Sequence, residues 1–365
     1  MGKTNVAILF GGKSAEHEVS LRSAKSIIEA IDRDLFDIHL VGIDKKGHWL
    51  HFPLDAYLEN ALDPKTIRLA AGGRAVTMVS EEEKTYLTVA HSSEKLAEID
   101  VVFPVMHGSF GEDGVLQGIL RGLEVAFVGA DLLGAAVGMD KDVAKRLWRD
   151  AGIPVARFVT LHRHTRSTAN FSAIVEALGL PLFVKPANAG SSVGVHKVTN
   201  EQEFEHALDD AFLYDRKILI EEAIVGREVE ISVLGNEFPK ASVVGEIIAS
   251  AQFYSYEAKY IDADGAKLVI PAQISEKADQ LIRETAIKAY QTITVEGLSR
   301  VDFFLKEDDT LVINEINTMP GFTSISMYPK MWEAAGLPYK ELITQLIQLG
   351  LERKVWQKGL KTTND

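Results

Sequence analysis

The chain has 365 residues, 46% hydrophobic and 25% charged, enough for two or three compact domains, which excludes disorder and fibrous repeats. Its 39 basic and 52 acidic residues leave a net charge of −13, which repels a phosphate backbone and removes general nucleic-acid binding. Without a single cysteine, disulfides, thiolate nucleophiles and thiolate zinc sites are ruled out. Apolar runs such as Val101 to Met106 fall short of the roughly 20 residues a bilayer requires. A polar loop begins by Gly11, where a signal peptide would still be apolar. These features predict a cytoplasmic protein with no membrane partner.

Asn5 to Phe10 reads as a strand that stops at Gly11-Gly12, and Ala24, Ile27, Ile28 and Ile31 then recur at helical spacing. Asp37 to Ile43 and Asp100 to Val105 predict further strands, followed by a helix from about Val115 and a strand ending at Val128. Such alternation predicts a parallel sheet with ligand loops at the carboxyl ends of its strands. Residues 44 to 90 interrupt the scheme as an insertion of small strands and loops. From Met139 the pattern changes. Val143, Ala144, Leu147, Trp148 and Ala151 line one helical face, closed by Gly152 and Pro154. Pro181 to Lys185 and Val195 to Val198 predict two strands around a loop that opens no helix. Ile218 to Ile220, Val229 to Leu234 and Ala241 to Ile247 add strands, so the fold class is α/β followed by α+β. Between Ser250 and Gly265 periodicity is lost and aromatic residues gather among charges, the pattern of an active-site loop. Ser275 then caps a helix carrying Ala278, Leu281, Ile282, Thr285 and Ala289. Ser299 to Leu305 and Leu311 to Ile316 form a hairpin. A last helix carries Leu342, Leu346 and Leu349, with a polar, frayed tail after about Lys354.

Strand alternation puts Glu315 and Asn317 on one face of the hairpin, and counting across a turn centred near Asp308 sets Asp302 roughly opposite Glu315. Two carboxylates and an amide oxygen are hard ligands of the kind Mg²⁺ prefers beside nucleotide phosphates. Arg300 shares the face of Asp302, where a cation can meet a phosphate or an oxyanion. The bland alternative is a charged, solvent-facing hairpin edge. Pro320-Gly321 favours the site, since a rigid turn there can aim the Gly321 amide at the same point. In Lys185-Pro186-Ala187-Asn188-Ala189-Gly190-Ser191-Ser192-Val193-Gly194, small residues let backbone N–H groups approach phosphate, with Lys185 as a point charge. A Gly/Ser hairpin turn without ligand is the commoner explanation of that loop taken alone. Gly12-Lys13-Ser14 imitates a P-loop, but Ala7 stands where its first glycine belongs. Glu16 opens a helix, either to complement its dipole or to bind a ligand. His107, in His107-Gly108-Ser109-Phe110-Gly111-Glu112-Asp113-Gly114, is a candidate for holding a carboxylate. Glu221-Glu222-Ala223-Ile224, at a strand end before Gly226, can form an edge that pairs with adenine through its backbone, and Glu228 can reach a ribose hydroxyl. An acidic strand end is the commoner explanation.

The set Gly11 to Ser20, His107 to Gly114, the Gly/Ser loop, Glu257-Ala258-Lys259-Tyr260 and Asn314 to Thr323 resembles, in order and over nearly the whole chain, the D-alanine–D-alanine ligases of the ATP-grasp superfamily. The 44–90 stretch resembles the longer members, which include vancomycin-resistance ligases. The resemblance implies an ATP-grasp fold of three domains: a Rossmann-like N-terminal domain over 1–138, a central subdomain over 139–216, and a C-terminal subdomain over 217–365 with the metal site and a mobile loop, 250–265. ATP would be held between the last two. It implies an enzyme that phosphorylates one D-alanine with ATP and lets the amine of a second attack the acyl phosphate, making D-alanyl-D-alanine for peptidoglycan. Glu16 is then expected to bind the first ammonium and to form a network with Ser191 and Tyr260. Lys141, Lys185 and Lys259 are expected on the ATP phosphates, and Glu221, Glu222, Ile224 and Glu228 on adenosine. Asp302, Glu315 and Asn317 would hold two Mg²⁺, or Mn²⁺. Arg300 and the Gly321 amide would stabilise the oxyanion, and Ser326 and the Met327 amide the second carboxylate. The resemblance also implies a homodimer, and Tyr260 favours D-alanine over D-lactate as second substrate. Competing readings are another ATP-grasp ligase, including one that forms depsipeptides, and a nucleotide-binding protein without catalysis. A dinucleotide oxidoreductase lacks its Gly-x-Gly-x-x-Gly fingerprint.

Overall fold

Strand and helix alternate at the N-terminus and build the parallel sheet that the spacing predicts. In the computed structural model, which describes residues 2–249, 266–323 and 325–361, Thr4–Gly11 lies between Phe36–Ile43 and Val101–Val105, parallel to both. Ala126–Phe127 adds a fourth parallel strand. Central parallel strands are covered on both faces and require unbroken apolar sequence, and Val6 to Phe10 are accordingly all buried. The crossover helix His17–Ala30 turns Leu21, Ala24, Ile27 and Ile28 onto this sheet. The stretch after residue 44 supplies antiparallel strands that extend the sheet to eight, through Trp49–Phe52, the hairpin Arg74–Glu81 and Lys84–Val89, and Lys95–Ile99.

Two antiparallel sheets follow. The four-stranded one is ordered Phe158–His162, Lys217–Glu222, Leu182–Pro186, His196–Val198. Because Lys217–Glu222 is one of its inner strands, the central unit reaches Glu222 and does not stop at residue 216 as expected. The five-stranded sheet is ordered Ala266–Val269, Lys240–Ala249, Arg227–Gly235, Gly297–Leu305, Leu311–Asn317.

Helix Lys141–Asp150 is rotated from the face that its apolar residues predict. Ala144, Lys145 and Trp148 are buried while Leu147 is exposed. The indole of Trp148 sets this rotation, donating to the Ala289 carbonyl at 3.1 Å in the core beneath the five-stranded sheet. Helix Glu276–Thr292 is capped as expected, with Ser275 Oγ accepting from the Ala278 N–H at 3.1 Å. Its buried stripe passes through Ala286 and Tyr290, and Leu281 faces outward.

The last helix, Tyr339–Lys358, crosses back to the N-terminal sheet, where Leu342, Ile343, Leu346 and Ile347 join Val6, Ile8 and Phe103 in one core. It does not fray at Lys354. Buried Arg353 anchors its end, donating from Nη2 to the Phe127 carbonyl at 2.7 Å and also to the Gly129 carbonyl. The unit expected over 217–365 is therefore shared between two cores. Leu346→Ala is expected to cost about 2–5 kcal/mol, because it empties a fully buried site between helix and sheet. The midpoint of urea unfolding measures that loss. Among the described residues no helix is long and apolar enough to cross a membrane.

Candidate active site

Three elements converge where the loop after Leu182–Pro186 meets the start of the first helix and the carboxylate hairpin. Antiparallel pairing of Leu182–Pro186 with His196–Val198 closes that loop, and Ser191 and Ser192 within it take positive φ angles of 53° and 61°. Such left-handed backbone is costly for serine and is retained where surroundings fix it. Ser191 Oγ here donates to Glu16 Oε1 across the two domains. Glu16 is buried and makes no side-chain cap on the helix behind it, so its carboxylate serves the loop contact rather than the helix end. The backbone gives way around it: a Cβ on Gly108 (φ +72°) would stand 2.6 Å from Glu16 Oε2, and one on Gly190 3.3 Å from it. Gly108→Ala is therefore expected to displace this carboxylate and raise the KM for an amino-acid substrate about tenfold or more, measurable by steady-state kinetics.

Lysines occupy the space between the two antiparallel sheets. Lys141 Nζ donates to the Ala189 carbonyl at 2.7 Å and lies 3.4 Å from Glu315 Oε2, tying the loop to the hairpin. Lys185 Nζ lies 2.7 Å from Glu221 Oε2 and 3.5 Å from Asn314 Oδ1. Glu221 is buried, and burial alone would raise its carboxyl, but the ammoniums of Lys145 and Lys185 outweigh burial and hold it low. Its side chain thus faces the two lysines. Glu222 is likewise engaged: its carboxylate pairs with Arg157 at 2.6 Å and its N–H donates to the Arg157 carbonyl at 3.1 Å. Ile224 follows the strand, half-buried, and Glu228 is exposed on Arg227–Gly235.

The hairpin pairs Phe303 with Ile313, and an irregularity between Asp302 and Phe303 then shifts the register by one, setting Asp302 opposite Glu315 and Arg300 opposite Asn317. The Arg300 guanidinium forks onto Asp302, with Nε and Nη2 each donating to one carboxylate oxygen at 2.7 Å, and Nε lies 3.0 Å from Glu230 Oε2. Asn317 Nδ2 donates to Asp302 Oδ2 at 3.0 Å. Asp302, Glu315 and the Asn317 amide oxygen are a donor set of hard oxygens, which fits Mg²⁺. Among the described residues no cluster of three or more acidic or histidine side chains is gathered for a metal. An ion there would complete its shell with phosphate oxygens and water.

His107 departs from expectation. It is buried, and burial holds its imidazole neutral. Nδ1 donates to the Met319 carbonyl at 2.9 Å, while Nε2 accepts from Ser23 Oγ at 3.2 Å, and Ser23 Oγ in turn accepts from the Phe322 N–H at 3.2 Å. With both nitrogens engaged, His107 offers none to a substrate carboxylate and instead fixes the turn that carries Pro320 and Gly321. Beyond that turn, Ser326 Oγ accepts from the Thr323 N–H at 3.0 Å and would lie 2.8 Å from a Cβ on Gly321. Met327 opens the helix Met327–Ala334, where a first-turn N–H without an intrahelical partner suits a carboxylate. Lys259 and Tyr260, with the expected loop 250–265, lie outside the described residues.

Three site residues were not singled out by sequence reasoning. Lys145 is fully buried beside Glu221, and its signal was its spacing from Lys141 on a helix face shared with Trp148. Glu230 lies opposite Asp302, marked only as a charge inside an apolar strand. Glu112 accepts from the Gly108 N–H at 2.8 Å and the Met319 N–H at 3.2 Å, and burial, followed by the nearby Glu16 charge, pushes it up to about 8.

Two antiparallel sheets facing each other across buried lysines, with a Gly/Ser loop on one and a carboxylate hairpin on the other, define the ATP-grasp class of ligases. A family model described as D-ala D-ala ligase N-terminus matches residues 5–130, and one described as D-ala D-ala ligase C-terminus matches residues 147–348. The chain belongs to the D-alanine–D-alanine ligase family. It is 53% identical to the D-alanine–D-alanine ligase of Shouchella clausii over 100% of this chain and 99% of that protein. It is 55% identical to D-alanine–D-alanine ligase A of Chromobacterium violaceum, covering 97% and 96%. Among solved structures, the D-alanine-D-alanine ligase from Coxiella burnetii superposes with a TM-score of 0.86 at 35% identity, covering 98% of this chain and 97% of that one. The VanG D-Ala:D-Ser ligase from Enterococcus faecalis superposes with a TM-score of 0.83 at 38% identity, covering 96% and 100%.

Proposed function

We propose that this chain is an ATP-dependent ligase that joins two D-alanine molecules into D-alanyl-D-alanine for peptidoglycan precursors. The observation that carries this reading is the run Ala189-Gly190-Ser191. Its first carbonyl accepts from Lys141, which also reaches Glu315, and Gly190 and Ser191 lie against Glu16. One short loop thus adjoins both the place for an ammonium and the place for phosphates, as transfer of a phosphoryl group to an amino acid's carboxylate requires.

On this reading Glu16 holds the first D-alanine by its ammonium, and Lys141, Lys185 and Lys259 hold the ATP phosphates. The backbone of Glu222 and Ile224, with Glu228, borders the adenosine, while Glu221 meets the lysines. The first substrate's carboxylate oxygen attacks the γ-phosphorus, and ADP departs with the electrons of the broken P–O bond. Asp302, Glu315 and Asn317 would hold Mg²⁺, which when bound would supply charge neutralisation for the two anions that must meet. Ser326 and the Met327 N–H then hold the second carboxylate while its amine attacks the acyl carbon. Arg300 and the Gly321 N–H receive the oxyanion, and inorganic phosphate leaves as the amine loses its proton. Tyr260 and the 250–265 loop keep water from the acyl phosphate. The enzyme works as a homodimer in the cytoplasm.

The test is phosphate release from ATP and Mg²⁺ on adding D-alanine, with L-alanine, D-lactate and D-serine as comparisons and products identified by mass. D-alanyl-D-alanine as the main product supports the reading. More D-alanyl-D-lactate or D-alanyl-D-serine than D-alanyl-D-alanine from mixed substrates at neutral pH would overturn the second-substrate assignment.

A further inference from the structure

A fully buried lysine is costly to desolvate and is retained only with compensation. Lys145 has no side-chain exposure, and its Nζ lies 3.1 Å from Glu221 Oε1. Glu221 Oε2 lies 2.7 Å from Lys185 Nζ. One carboxylate therefore sits between two ammoniums, one sealed in the core and one at the cleft. Neither Lys145 Nζ nor Glu221 Oε1 has a further hydrogen-bond partner among the described residues. On its own helix Lys145 has Ala144 and Trp148 as buried apolar neighbours, and the other buried charge there, Asp142, is engaged by Arg146, Thr160 and Lys217. Packing alone would be served by leucine or methionine there.

The difference lies in charge. Glu221 with Lys185 alone is a neutral pair, and Lys185 would offer a nucleotide phosphate only half a dipole. With Lys145 added, the trio carries one net positive charge. We propose that Lys145 is a positioning residue for nucleotide binding, whose buried ammonium neutralises Glu221 and so leaves the charge of Lys185 available to an ATP phosphate. Burial pushes Lys145 down to about 8, against the pull of Glu221, which still leaves it protonated at neutral pH. The role rests on the ATP-dependent reading above, because it concerns which part of that site meets the phosphates.

Three proteins test it: wild type, Lys145→Met, and Lys145→Met combined with Glu221→Gln. The double variant restores the single net positive charge without either buried ion of the Lys145–Glu221 pair. Lys145→Met is expected to weaken MgADP binding, read by calorimetry, and to raise the KM for ATP about tenfold or more, the size of a lost charge-assisted contact. The KM for D-alanine should stay within about twofold, since Lys145 acts only through the phosphate lysine. The double variant should recover nucleotide binding to within about threefold of wild type, which a lysine needed only for packing would not allow. If Lys145→Met does not fold, the double variant decides alone by the same threefold and tenfold limits. Equal nucleotide binding by wild type and Lys145→Met overturns the role, as does a parallel rise in both KM values or a double variant no better than the single. A wild type that binds MgADP and releases no phosphate with any D-amino acid leaves Lys145 in place and removes the D-alanine reading. One that binds no nucleotide overturns both.

Discussion

Arg300→Met is expected to lower kcat for dipeptide formation by about 10²–10³-fold, the loss that follows removal of one donor to a developing oxyanion. Arg300 stands on Gly297–Leu305 opposite Asn317, four residues from the Gly321 turn along the partner strand. It is held by Asp302 at 2.7 Å and Glu230 at 3.0 Å, so the guanidinium is oriented before any substrate arrives. Preorganisation of that kind makes a donor effective in a site screened from water. The same contacts create a second cost. Glu230 and Asp302 have side-chain exposures of only 8% and 13%, and removing their cation leaves two nearly buried carboxylates together. Breaking a buried pair costs about 3–5 kcal/mol, so the Met variant should also unfold at lower denaturant. Arg300→Lys separates the two effects. It keeps the charge and loses the fork, so stability should largely return while kcat stays well below wild type, with single-turnover phosphate release measuring the chemical step.

Glu315→Gln is expected to reduce turnover by about 10³-fold or more, since on the proposed reading the Mg²⁺ that would neutralise the triphosphate loses a charged ligand. The fold should survive, because Glu315 is an outer-strand residue whose side chain is 24% exposed and whose ion pair with Lys141 spans 3.4 Å. A surviving dependence on Mg²⁺ at higher concentration would accompany the loss, with the Mg²⁺ midpoint shifting upward in a phosphate-release titration. Undiminished turnover in Glu315→Gln would remove this carboxylate from the metal set. The variant also frees Lys141 from its carboxylate, so the KM for ATP is expected to change less than kcat. A change confined to KM would point to Lys141 rather than to a metal.

Much of the fold was legible in the sequence because it depends on local or periodic signals. Apolar runs separated by glycine turns specified the parallel strands, and Ser275 marked a helix start through its own hydroxyl. Strand alternation and a short turn brought Asp302 close to Glu315, and the register shift between Asp302 and Phe303 completed the pairing. The order of motifs identified the family before any contact was known. Tertiary structure alone decided what each buried face meets. The last helix covers the N-terminal sheet, His107 reaches Met319, and Lys145 and Lys185 share Glu221 although they come from different elements. Periodicity reports that a face is buried and is silent about the surface it is buried against. A charge on such a face is stable only when a distant residue brings the opposite charge to it. That match depends on the packing of whole sheets and helices, so Lys145, Glu230 and Glu112 emerged as site residues only when the chain was folded.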